Sequence, residues 1–132
     1  MRLGIKRLNS DLRNVLLLAG AAIVIAASPS ERSAALSGAW TVDLRLGLTD
    51  APYTQPMDLA VAEDGEVTGS FYNSEILAGR AGTAQDRTCV AFRTTDGSGF
   101  YHTSACLVDG KMIGQTWSEG RNFVLPWTAE RP

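Results

Sequence analysis

From residue 36 onward, apolar side chains recur at alternate positions in short runs, and no stretch keeps the 3.6-residue spacing of an amphipathic helix. Eight runs follow one another: 39–46 (AWTVDLRL), 55–62 (QPMDLAVA), 66–73 (EVTGSFYN), 76–83 (ILAGRAGT), 87–95 (RTCVAFRTT), 100–108 (FYHTSACLV), 111–117 (KMIGQTW) and 121–129 (RNFVLPWTA). Gly, Asp, Asn and Pro punctuate them, which predicts an all-β meander, sandwich or barrel. Connections this short suit an eight-stranded antiparallel up-and-down barrel, because adjacent antiparallel strands need only hairpin loops. Closure also removes the edges an open sheet must protect. The interior of such a barrel is either filled by side chains or holds one small ligand.

Alternation assigns faces within the runs. Trp40, Val42, Leu44 and Leu46 share one side of the first strand, with Thr41, Asp43 and Arg45 on the other. In AEDGE, a three-residue loop with Gly65 in the left-handed position pairs Val61 with Val67, Leu59 with Gly69 and Met57 with Phe71, keeping the apolar residues on one face. A two-residue turn there would mix the faces. The register across VDGK (108–111) stays open. Gly-Arg-Ala-Gly at 79–82 reads as a bend in the fourth strand, being too short and ill-placed for a nucleotide-binding loop.

Ahead of the strands lies a different pattern. Arg2, Lys6, Arg7 and Arg13 precede an uncharged apolar run, Val15 to Ala27, followed by the small-residue exit AASPSERSAA. That order describes a secretory signal peptide over 1–27. The run is 13 residues long, short of the roughly 20 that span a bilayer as an anchor. Residues 28–36 then read as a flexible tail, and 37–132 as the barrel. Beyond Ala27 there are 8 basic and 13 acidic residues, a formal charge of −5. That sign argues against nucleic acid and against anionic membrane surfaces after signal cleavage. The protein is expected to be secreted or periplasmic.

Two cysteines, Cys89 and Cys106, fall on the fifth and sixth strands. If DGSG (96–99) joins those strands, Thr95 faces Phe100, Phe92 faces Thr103 and Cys89 faces Cys106, close enough to bond. An exported chain favours the disulfide, with two free thiols as the alternative. Parity puts the pair opposite Val90 and Phe92, on the outside. One histidine, His102, and two cysteines are too few for a zinc site. No cofactor is expected, His102 reads as a surface residue, and no nucleophile–base pair, carboxylate dyad or phosphate loop marks an enzyme.

Four segments in order, SGAWTVDL, DGEVTGSF, GQTW and WTAER, resemble the avidin and streptavidin family within the calycin superfamily. The resemblance spans nearly all of residues 37–131. It implies that Trp40 seals one barrel end beneath Arg131. It also implies that the positions holding biotin's ureido group are Val42, Leu46 and Phe71, none of which supplies the family's polar group. A buried ureido oxygen without partners costs about 1–3 kcal/mol for each one lost, so biotin is not the expected ligand. Asn73 matches, on spacing alone, a family position near the ligand's carboxylate end.

An aromatic set survives: Phe71, Trp117 and Trp127, with Phe92 or Tyr101. It is either solid core or the wall of a small apolar pocket. A cavity below about 100 Å³ would fit only the first, since ligand pockets usually exceed about 300 Å³. The candidate ligand-binding residues are therefore Phe71, Asn73, Phe92, Tyr101, Trp117 and Trp127. The other function class is a periplasmic inhibitor of a protease or lysozyme. It would act through the tail (Ser28–Leu36) or the loops at 47–56 and 118–121. The metalloprotease-inhibitor group shares the tail, the Gly-x-Trp and the length, but places its cysteine bond between earlier strands. Avidin-like barrels also assemble as homo-oligomers, and no segment here reports an interface.

Overall fold

The computed structural model describes residues 19–132. Of the predicted leader over 1–27, residues 1–18 lie outside the described residues. Nine strand elements follow a short helix: α1 (Pro29–Ala34), β1 (Gly38–Asp43), β2 (Thr54–Val61), β3 (Glu66–Phe71), β4 (Ser74–Glu75), β5 (Leu77–Ala84), β6 (Arg87–Thr95), β7 (Phe100–Val108), β8 (Lys111–Ser118) and β9 (Phe123–Glu130). Successive long strands pair antiparallel, and β1 pairs with both β2 and β9, so eight strands close into a barrel. β4 is a two-residue hairpin arm on β3, turned by Tyr72 and Asn73 at positive φ.

The registers follow from the turns. Gly65 has φ 87° and β2 pairs with β3 through Val61–Val67, Leu59–Gly69 and Met57–Phe71. The VDGK turn, open on sequence, is a two-residue turn with Asp109 and Gly110 at positive φ, which sets Val108 opposite Lys111. Cys89 lies opposite Cys106 and the two are bonded. Their neighbours Val90 and Phe92 are buried on the inner face. A disulfide on the outer wall fits an oxidising compartment.

One seam of the wall is short. β1 and β9 pair only at Thr41–Glu130, Val42–Ala129 and Asp43–Thr128. Above Asp43 the chain turns away, because the Asp43 carboxylate accepts the Arg45 backbone N–H (3.0 Å) and also grips the Arg45 guanidinium. The Arg45 hydrogen bonds hold the Asp43 carboxyl below its usual range. The first strand therefore ends three residues earlier than alternation predicts, and Leu46 is 87% exposed instead of facing the core.

The two ends differ. Where β1 begins, Trp40 and Leu36 are buried, and the Trp40 indole donates to the Leu36 carbonyl at 2.8 Å. Arg131 lies 3.8 Å above the Trp40 ring and donates to the carbonyls of Ala35, Ser37 and Ala39, a cation–π arrangement contributing about 0.5–2 kcal/mol. Trp40 and Arg131 thus lie together at this end of the barrel.

The tail expected to be flexible departs from expectation. Ser28 caps α1 in a reciprocal capping box with Glu31, while Ser33 and Leu36 are buried. Leu36 gives this segment an apolar anchor, and Arg131 satisfies carbonyls at the helix's end, so residues 33–36 belong to the barrel's plug.

Candidate functional site

The end opposite the plug carries the loops β1–β2, β3–β5, β6–β7 and β8–β9, and between them opens a cavity of about 650 Å³. That volume lies within the range of small-molecule pockets. Its apolar lining comes from Leu44, Leu46, Phe71, Phe123 and Leu125. Leu44 and Leu46 flank the short β1–β9 seam on one side, with Leu125 and Phe123 on the other, so the cavity reaches the gap in the wall. Thr94, Thr116 and Ser74 add hydroxyls.

Beneath Phe71 the interior is solid. Its ring meets Phe92 edge-on at 5.9 Å between centroids and Trp127 at 5.7 Å. Trp127 fits because β8 carries glycine opposite it: a Cβ on Gly114 would fall 2.6 Å from the indole and 2.8 Å from the Ala105 side chain. The indole N–H donates to Thr116 Oγ1 at 3.0 Å, and Thr116 Oγ1 bonds Thr103 Oγ1 at 2.9 Å. Every buried side-chain polar atom of the described residues has a partner.

The rim is polar and internally paired. The Asp96 carboxylate accepts from Ser98 N–H (3.0 Å), Ser98 O–H (2.7 Å), Tyr101 O–H (2.8 Å) and the Arg121 guanidinium (3.2 Å). The Ser98 bonds, then those of Tyr101 and Arg121, hold the Asp96 carboxyl far below the usual range. The same contact with Asp96 raises the Tyr101 phenol. Tyr53 and Tyr72 share a hydroxyl–hydroxyl bond across the mouth, which raises the Tyr72 phenol.

Of the six residues proposed from sequence, Phe71 and Tyr101 line the cavity. Phe92 and Trp127 sit below as core. Asn73 occupies the exposed β3–β4 turn at φ 62°, a conformation Asn tolerates well, and does not line the cavity. Trp117 is corrected most sharply. It is 46% exposed on the outer face, stacked on His102 at 5.0 Å, because Thr116 takes the inward position on β8. His102 is half-exposed there, its Nε2 2.8 Å from Glu119.

Thr116, Thr94, Arg121, Phe123 and the rim residues Tyr53 and Tyr72 also line the cavity, and none is singled out by the alternation of the runs. A signal existed for Thr116. Cys106 faces outward, and the Asp109-Gly110 turn sets it opposite Ile113, so Ile113, Gln115 and Trp117 face out while Thr116 faces in.

Set beside known proteins, the chain matches no family model, no curated protein and no solved structure.

Proposed function

We propose that the protein is an exported binding protein that holds one small, mainly apolar molecule in the open end of its barrel. The observation carrying this reading is the cavity of about 650 Å³, lined by Phe71 and four other apolar side chains, in a barrel otherwise filled with core. Holding, rather than chemistry, suits the polar groups present. Asp96 is committed to four donors and kept ionised, so it is a poor proton acceptor. The leader pattern and the disulfide support export.

The scaffold is read as avidin-like on its sequence motifs and on the Trp40–Arg131 contact, and biotin is not the expected ligand. Val42 is fully buried and apolar, Leu46 is turned out at the mouth, and Phe71 presents a ring to the cavity.

N-phenyl-1-naphthylamine, a neutral dye that brightens in apolar sites, tests the reading. We expect saturable one-site enhancement, abolished by Thr94→Trp, which fills the cavity. Dye that never saturates, or binds equally well to that variant, would overturn it.

Inhibition of a secreted protease or lysozyme is the second reading. It draws support from the β1–β2 loop, where Leu46 and Leu48 are 87% and 95% exposed. The tail gives it none, since residues 33–36 are committed to the plug.

A further inference from the structure

The hydrogens on the hydroxyls below the mouth can be counted. An indole N–H only donates, and a hydroxyl has one hydrogen and two lone pairs. Trp127 donates to Thr116 Oγ1, and Thr103, 3% exposed, has Thr116 Oγ1 as the partner of its own hydroxyl. If Thr116 donated to Thr103, the Thr103 hydrogen would be buried without an acceptor, at the full desolvation penalty of an unpaired polar group. The arrangement that avoids this has Thr103 and Trp127 both donating to Thr116. Both Thr116 lone pairs are then used and its own hydrogen is free. Thr116 lines the cavity, so that hydrogen is a donor offered to whatever lies inside.

Charge at the mouth narrows the occupant further. Asp96 already accepts four hydrogen bonds, one of them from Arg121. An anion would have to draw Arg121 from Asp96 while sitting beside the remaining carboxylate. A cation would find that carboxylate already engaged. Neither charge is compensated without breaking the rim.

We propose that the cavity takes an uncharged molecule whose inner end carries an oxygen acceptor of the carbonyl or ether class, received by the Thr116 hydroxyl. Its apolar body then lies along Phe71, Leu44 and Leu125. The proposal rests on the cavity being a ligand site, and it adds polarity, orientation and an anchoring residue to that reading.

Two fluorescent probes of similar size separate the claims. One is 6-propionyl-2-(dimethylamino)naphthalene, a neutral ketone whose emission moves to the red when its carbonyl accepts a hydrogen bond. The other is the anion 8-anilinonaphthalene-1-sulfonate. We expect the ketone to bind at one site about tenfold or more tighter than the sulfonate, since burying the charge is uncompensated.

Thr116→Val should weaken the ketone roughly threefold to tenfold, the range of one net hydrogen bond, and shift its bound emission to the blue. Thr116→Ser should restore both. Thr103→Val should leave both unchanged, because Thr116 keeps its own hydrogen. A merely structural role for the pair would make Thr103→Val and Thr116→Val behave alike, which would overturn the proposal. So would a sulfonate that binds as tightly as the ketone, with the ligand-site reading left standing. If neither probe saturates, the ligand-site reading fails and takes the proposal with it. Should Thr116→Val fail to fold, the probe pair and the other two variants still decide.

Discussion

At one end of this barrel Leu36, Trp40 and Arg131 close the interior; at the other, the same strands run out into loops that leave about 650 Å³ open. The closed end spends its polar groups on its own backbone: the Trp40 indole and the Arg131 guanidinium both bind carbonyls between Ala35 and Ala39. The open end pairs polar side chains with one another around the mouth and faces apolar ones inward. A plug of that kind carries stability, whereas a mouth of that kind leaves apolar surface to be covered by something else. The difference begins in β1, whose first half is sealed beneath Arg131 and whose end is turned outward by Asp43 and Arg45.

That contrast sets the size of mutational effects. Trp40→Ala should cost about 3–5 kcal/mol in urea unfolding, as loss of a buried aromatic with the cavity it leaves. Phe123→Ala, at a position 40% exposed on the rim, should cost less than about 1 kcal/mol. Comparable losses would erase the distinction between plug and mouth.

Replacing Cys89 and Cys106 together by Ser opens a bridge of sequence separation 17 and should lower stability by about 2–4 kcal/mol. The dye affinity of the variant, still folded at low temperature, should be unchanged, because the bridge lies on the outer wall. Leu46→Ser should alter stability by no more than about 0.5 kcal/mol while measurably weakening N-phenyl-1-naphthylamine, since that side chain borders the mouth.

The smallest effect concerns pH. The Asp96 carboxyl is lowered in the folded state, chiefly by Ser98. Its contribution is therefore fully present above the unfolded carboxylate value of about 3.9 and is lost as pH falls through the lower folded one. Dye binding should persist through mild acid and decline only at strongly acidic pH. Asp96→Asn should flatten that decline, read in the same titration.

Each end was only partly readable in the sequence, the open end less so. The pairing of Trp40 with Arg131 is implied by the family resemblance that Gly-x-Trp and the final Trp-x-Ala-x-Arg carry, and parity alone places the cysteines outside. The cavity depended on features that alternation does not encode. One was the VDGK register, which decides whether Thr116 or Trp117 faces in. Another was the local Asp43–Arg45 bond, which stops β1 before Leu46. The large tryptophan drew attention that belonged to the small threonine beside it. Residues 28–36 looked like a tail because six residues make a marginal helix alone; Leu36 and Arg131 fix them through tertiary contacts.

The three tryptophans offer the most direct test, since Trp127 lies under the cavity, Trp40 in the plug and Trp117 on the outer wall. Their indole N–H resonances can be followed by nitrogen–proton correlation spectroscopy while N-phenyl-1-naphthylamine is added. The Trp127 signal should move and saturate at one equivalent while those of Trp40 and Trp117 stay in place. Movement of Trp117 or Trp40 with Trp127 unmoved would contradict a ligand site at the open end.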